Sequence, residues 1–309
     1  MNRRDLFGTA AAAAGAAALL APEAAPEAAA HRPRLDPALP NYVRTQDNVA
    51  LFYRDWGQGK PVLFIHGWGA PSDIWSYQMP ALSRQGLRCI AYDRRGHGRS
   101  SDPGGGYDYD TLSDDLAAVI EALDLHGVTL VGHSMASGEM VRYLTRHGAS
   151  RIAKLVFLAP AATPYPLKTA DNPAGVDGAF FEHFRNDILT HDLPGWLDQN
   201  AAPFFTPETS PGLLQWVKSL MYQTTMQALI ECNRCGTTTD FRAELPKITV
   251  PSVIIQGDRD ASATLDQTGR PTAALIPGAR LIVYEGAPHG LMLTHVDRLN
   301  GDLVQFVGA

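Results

Sequence analysis

Residues 128–138 read VTLVGHSMASG, and the fold turns on how that stretch is parsed. Residues 128–131 are a short apolar run with β-branched members, the composition of a strand buried on both faces. From residue 135 to residue 147 the apolar positions change to helical spacing. Gly132-His133-Ser134-Met135-Ala136 must therefore turn the chain from strand to helix within a few residues. Such a turn brings the two backbones close together, so small residues are needed on both sides of the serine. Gly132 meets that need. Ala136 stands where a second glycine would complete G-x-S-x-G, and Gly138 is expected to ease the same crowding. A serine at the apex projects its hydroxyl into the open, and the helix N-terminus behind it favours negative charge on a nearby oxygen. The pentapeptide alone is weak evidence; its strand–turn–helix setting is what makes it specific.

Outward from this turn, residues 49–56, 61–65, 88–92, 154–158, 252–256 and 280–284 read as further strands, the first alternating like an exposed edge. Residues 111–125, 268–276 and 291–306 carry helical period. The first of these places Leu112, Leu116, Val119, Ile120 and Leu123 on one face, with Thr111 and Asp114 expected as a capping box. Strand–helix alternation predicts a parallel sheet wrapped by helices, with active groups at the carboxyl ends of strands. One interval breaks the rhythm. The stretch from 158 to 252 is too long for a structureless loop, and it holds helix-like segments near 176–190, 211–220 and 224–235. It is also rich in aromatics, among them Phe180, Phe181, Phe184, Trp196, Phe204, Phe205 and Trp216. A helical cap over the strand ends, about 162–245, accounts for both features. Most of these rings are expected to form the cap's own core, with Phe180 and Phe184 facing a pocket.

A serine hydroxyl is a poor nucleophile until a base takes its proton. His289 follows the last expected strand in Glu285-Gly286-Ala287-Pro288-His289-Gly290, a loop able to project the imidazole over the sheet's edge. The preceding strand ends in Gln256-Gly257-Asp258-Arg259-Asp260. Asp260 lies further out and is the expected carboxylate partner of the base, while Asp258 is placed to cap the turn. The chain order Ser134, Asp260, His289 suits a strand-end site of this kind. Developing negative charge needs preorganised donors: the backbone N–H of Met135, after the nucleophile, and Trp68 in the loop His66-Gly67-Trp68-Gly69, whose indole would also wall the pocket. His66 reads as a brace for that loop, His97 as part of a glycine-rich strand-end turn, and His295 as structural. No metal cluster with plausible spacing emerges.

The rest of the chain bounds these readings. It has 309 residues, a formal net charge of -6 and no basic stripe, which argues against a nucleic-acid partner. Arg3-Arg4, an Ala-rich apolar run and small residues near Ala28–Ala30 have the order of a twin-arginine export signal over 1–30. The run is too short for a stable membrane span. A periplasmic or secreted location is expected, with a Pro-containing linker over 31–41 and one folded domain over 42–309. Cys232 and Cys235 fall in a helical stretch and read first as packed thiols, with a disulfide formed after export as the alternative.

With RDWGQGKPVLFIHGW, AYDRRGHGRS, VTLVGHSMASGEMVRYLTRHG, VPSVIIQGDRD and GAPHGL in hand, the chain resembles the bacterial cofactor-free haloperoxidase and aryl esterase branch of the α/β-hydrolases, from about Val43 onward. The resemblance implies an α/β-hydrolase fold: a mostly parallel eight-stranded sheet, helices on both faces, and the cap inserted after the sixth strand. It implies Ser134, Asp260 and His289 as the triad and Trp68 and Met135 as oxyanion donors. It also implies hydrolysis of small esters or lactones, peracid formation as a side activity, no cofactor, and association into homo-oligomers. Departures from the family pattern are Ala136, the export signal, and Ala261-Ser262-Ala263-Thr264 beside Asp260. A haloalkane dehalogenase would need a carboxylate at the turn, which Ser134 is not. A catalytically silent binding protein on the same fold is the competing class; it would be free to lose the base or the acid, and both are here.

Overall fold

The apolar runs pair into one mixed sheet in the computed structural model, which describes residues 32–308. The expected export signal, residues 1–30, lies outside the described residues. The strands are β1 (Arg34–Leu35), β2 (Tyr42–Arg44), β3 (Ala50–Trp56), β4 (Pro61–Ile65), β5 (Arg88–Tyr92), β6 (Val128–His133), β7 (Ile152–Leu158), β8 (Ser252–Gly257) and β9 (Arg280–Tyr284), in the spatial order β1-β2-β3-β5-β4-β6-β7-β8-β9. The pairs from β5 to β9 are all parallel, whereas β1, β2 and β3 run antiparallel to their neighbours. The helices are α1 (Met79–Ser83), α2 (Tyr109–Ala122), α3 (Ala136–His147), α4 (Gly178–His183), α5 (Thr190–Asn200), α6 (Pro211–Met221), α7 (Met226–Thr238), α8 (Gly269–Leu275), α9 (Leu291–Thr294) and α10 (Val296–Gly308). No helix among the described residues is long and apolar enough to cross a membrane.

Three details differ from the reading of the sequence. The sheet has nine strands rather than eight, because Arg34 and Leu35, inside the expected linker, pair with Arg44 and Val43. With β2 against its outer side, β3 is not an edge; two- and three-residue strands are too short to leave a period in the sequence. Helix α2 starts at Tyr109, and its N-cap is Asp108, whose carboxylate accepts the Thr111 N–H at 2.9 Å. Asp114, expected in the capping box, instead accepts from Arg146 at 2.9 Å. The single helix expected over 291–306 is broken at His295 (φ -124°, ψ 43°) into α9 and α10.

Packing follows the pleat. Along β4, Leu63 and Ile65 enter one hydrophobic cluster with Leu112, Leu116 and Val119 of α2 and Met140 of α3. Val62 and Phe64 enter another with Met79 and Leu82 of α1 and Leu299 and Leu303 of α10. Each fully buried Val, Leu, Ile or Phe contributes about 1.5–3 kcal/mol, and both faces are filled this way. Between β7 and β8 the cap, α4 to α7 with a π-helical turn Phe184–Leu189, buries Phe184, Leu189, Leu193, Leu197 and Leu229 among themselves.

The order β5-β4-β6 marks where the chain reverses its direction of winding, and ligand sites form in the crevice at such a point. The strand ends there are level. Ile65 pairs with Gly132 and Gly257 with Tyr284, so the four following loops leave the sheet side by side. Gly257 shows how tightly: a Cβ on it would stand 1.9 Å from the carbonyl oxygen of Ala287. Beneath the loops lie His66, His97 and His133, all buried. Burial holds all three imidazoles below their ordinary pKa, His97 down to about 3, with the charge of Arg94 adding to the effect at His66 and His97 and the neighbouring His289 ring adding to it at His133.

Gly257→Ala is expected to lose about 2 kcal/mol, because backbone rather than a flexible side chain meets the added methyl. Thermal denaturation should show a fall in Tm of roughly 4–8 °C. The buried histidines set a second expectation. Below the ordinary imidazole pKa of 6.5, the unfolded chain takes up protons that the folded chain refuses until it reaches its own lower values. Stability is therefore complete above that pH and is lost as pH falls, by about 1.4 kcal/mol per pH unit for each group. Urea titrations between about pH 7 and pH 5 should show this slope, and His97→Asn should flatten it by one group's share.

Candidate active site

Ser134 holds a backbone φ of +58°, in the left-handed region that a non-glycine residue rarely occupies. Its conformation is held from three sides: its N–H donates to Leu158 at 2.9 Å, and its carbonyl accepts from Ser137 at 3.1 Å and Ala161 at 3.2 Å. The expected need for small neighbours is visible in the distances. A Cβ on Gly132 would lie 2.8 Å from Met140 and 3.2 Å from the Ala136 methyl, so Ala136 fits because Gly132 has no side chain. Gly138 serves elsewhere. It makes room for Tyr109 and Phe241, whose rings a Cβ would approach at 2.6 Å.

The structure brings the three separated residues together. Ser134 Oγ donates to His289 Nε2 at 2.9 Å, and His289 Nδ1 donates to Asp260 Oδ2 at 2.8 Å. All three are buried, at 7%, 5% and 4% exposure, so little water competes for these bonds. Asp260 is itself fixed. Its Oδ1 accepts the N–H groups of Ser262 at 3.0 Å and Ala263 at 2.8 Å, and its Oδ2 accepts from Gln256 Nε2 at 3.2 Å. Asp258, expected to cap its own turn, instead accepts the N–H of Gly286 at 2.8 Å and joins the acid loop to the histidine loop.

The loop after β4 runs alongside the turn at Ser134. A Cβ on Gly67 would come within 3.2 Å of Ser134 Cβ, which puts the next peptide beside the serine. The backbone N–H groups of Trp68 and Met135 donate to no other group among the described residues. The indole N–H of Trp68 is committed, donating to Leu229 of α7 at 2.8 Å, so only the main-chain N–H of Trp68 is open to a ligand. His66 braces this loop: its Nδ1 donates to Gly67 at 2.8 Å and its Nε2 accepts the N–H of Arg94 at 2.9 Å. His133 sits under the site and donates from Nε2 to the carbonyl of His289 at 3.2 Å.

Ser134 and His289 open into a cavity of about 1210 Å³ beneath the cap. Trp68, Phe180 and Phe184 line it, with Phe184 buried and Phe180 58% exposed. Trp68 packs on Phe184 and Trp196 at ring distances of 5.8 and 6.1 Å. Reading the sequence did not single out Phe204, whose ring lies 5.6 Å from that of His289 and 6.1 Å from that of His133. The available signal was Gly290, which follows the histidine because any Cβ there would strike Phe204 at 2.4 Å. Cys232 and Cys235 are free thiols on α7, and burial pushes the Cys232 thiol up to about 12. Among the described residues no group of three His, Cys, Asp or Glu converges as a metal site would.

Comparison with known proteins places this arrangement in a lineage. The family pattern described as alpha/beta hydrolase fold matches residues 60–296. A non-heme chloroperoxidase of Kitasatospora aureofaciens is 40% identical over 269 residues, covering 85% of this chain and 98% of its own. A bifunctional esterase/perhydrolase of Acinetobacter calcoaceticus is 36% identical over 274 residues, with 86% and 99% covered. The solved structure of an esterase from Exiguobacterium antarcticum superposes with a TM-score of 0.84 at 31% identity, covering 88% of this chain and 100% of that one. The chain belongs to the α/β-hydrolase family, in its non-haem haloperoxidase and esterase branch.

Proposed function

We propose that the protein hydrolyses small carboxylic esters or lactones through an acyl-enzyme on Ser134. The observation that carries this is the unbroken relay from Ser134 Oγ to His289 at 2.9 Å and from His289 to Asp260 at 2.8 Å, facing two unused backbone N–H groups. Ser134 Oγ attacks the carbonyl carbon while His289 Nε2 takes the hydroxyl proton. The oxygen that becomes negative is placed for the N–H groups of Met135 and Trp68; loss of one such donor typically costs about 2.7–4 kcal/mol in the transition state. His289 then gives its proton to the departing alkoxide, and water, deprotonated by the same nitrogen, releases the acid. Asp260 keeps the proton on Nδ1 and stabilises the imidazolium. Its own three N–H donors hold the carboxylate in place for that role.

The esterase/perhydrolase relative supports a second outcome for the same intermediate. Hydrogen peroxide attacking the acyl-enzyme in place of water gives a peracid and the free serine, with halide oxidised afterwards by the peracid in solution. This is proposed as a side activity.

Wild-type protein is expected to turn over short p-nitrophenyl esters, and Ser134→Ala to lose at least about 10⁴-fold in kcat. Mass spectrometry of protein quenched during turnover should find the acyl group on the peptide containing Ser134. A wild-type protein no more active than Ser134→Ala across a broad ester and lactone panel would sink the proposal and leave the silent binding protein. Peroxide-dependent bromination measured on the same pair reports the side activity.

A further inference from the structure

Among the described residues three arginines are buried: Arg94, Arg95 and Arg185. The first two are neutralised, Arg94 by Glu139 at 2.6 Å and Arg95 by Asp115 at 2.7 Å. Arg185, 3% exposed on the π-helical turn of the cap, makes no ion pair among the described residues, although Glu182 and Glu231 are near enough to act on it through space. Glu231, on the neighbouring helix, is taken by Arg234 at 3.1 Å. Arg185 Nη1 donates to Asn233 Oδ1 at 3.1 Å and to Thr237 Oγ1 at 3.2 Å, while its Nε is buried without a partner. Buried charges in proteins are ordinarily paired, and π-helical turns recur at functional sites.

The contact with Asn233 fixes an orientation. A guanidinium has only donors, so the amide oxygen of Asn233 must face it, and Nδ2 points away. Asn233 lines the cavity that contains Ser134, and its Nδ2 donates to no group among the described residues. The distance to the chemistry is short. Gly236, one turn further along α7, lies with its Cβ position 3.8 Å from Met135 Cβ, and three helical residues advance about 4.5 Å. The acidic side chains lining the cavity, Asp187, Asp192 and Asp266, are exposed to water, whereas Arg185 is not.

We propose that Asn233, backed by Arg185, is a subsite for a carboxylate carried by the substrate, so that the preferred ester or lactone bears a free acid a few atoms from the bond cleaved. This rests on the acyl-transfer reading above and names its substrate class. The carboxylate would accept from Asn233 Nδ2 and supply the counter-charge that Arg185 lacks. Thr237 is spoken for, its hydroxyl donating to the carbonyl of Asn233 at 2.8 Å, which stiffens the pair.

The test compares monoethyl glutarate with ethyl pentanoate, which have acyl chains of equal length and differ in the terminal carboxylate. Wild type should favour the half-ester in kcat/KM by about tenfold or more, the effect of one charge-assisted hydrogen bond. Asn233→Leu and Arg185→Leu should each collapse that ratio, mainly through KM. A wild-type ratio near one, or a ratio that survives both substitutions, overturns the proposal. Should either variant misfold, competition on wild type decides: glutarate must inhibit ethyl pentanoate hydrolysis more strongly than pentanoate does, and equal inhibition counts against the subsite. If wild type cleaves neither of these esters nor any member of the ester and lactone panel above, the acyl-transfer reading fails on its own. Calorimetric binding of glutarate against pentanoate to Ser134→Ala then supports or removes the carboxylate site independently.

Discussion

A buried ion pair ties the site together. Arg94 follows β5 and Glu139 sits on α3, and their side chains meet at 2.6 Å with no exposure to solvent. The same guanidinium donates to the carbonyl of His66 at 2.9 Å in the loop after β4, and Tyr92 donates to the other oxygen of Glu139. Three adjacent strand ends are thereby locked to one charge pair: the loop carrying Trp68, the turn carrying Arg94, and the helix that starts behind Ser134. Burying two charges has a desolvation cost, yet removing one partner from such a pair typically costs about 3–5 kcal/mol because the other is left alone. The pair is best understood as a geometric constraint. It sets how far the main-chain N–H of Trp68 can stray from that of Met135.

A second constraint is local. The left-handed backbone at Ser134 costs on the order of 1–3 kcal/mol by itself and persists because neighbouring groups over-determine it. Its N–H and carbonyl are bonded to β7 and to the segment after it, while Gly132, Ala136 and Gly67 are small enough to let the turn close around it. The hydroxyl is thus presented by the same interactions that hold β6 and β7 in register. Folding energy and site geometry are one set of contacts here.

Most of this could be read from the chain because it depends on short-range rules. Glycine and small residues at a sharp turn, continuous apolar runs in a two-faced sheet, and acid and base on the loops of successive strands all leave local marks. That reasoning located Ser134, Asp260 and His289, and the structure brings them within hydrogen-bond distance. What escaped depends on neighbours remote in the sequence. Phe204 approaches His289 only because the cap folds back over β9's loop, and nothing around Phe204 distinguishes it from the other cap aromatics. The β1 strand is too short to show a period, and the role of Gly138 is set by Tyr109 and Phe241, far away along the chain. That Arg185 is buried without an ion pair is likewise invisible until the cap is folded.

The bond from the Trp68 indole to Leu229 carries a wider consequence. It joins the loop beside the reacting carbonyl to the helix that roofs the cavity, so roof and chemistry form a single mechanical unit rather than a lid over a fixed floor. A substituent that pushes on α7 therefore pulls on the loop of Trp68. Selectivity in such an enzyme is expressed in how well an acyl group leaves that linkage undisturbed. Efforts to widen the cavity by reshaping α7 will, for the same reason, retune turnover along with fit.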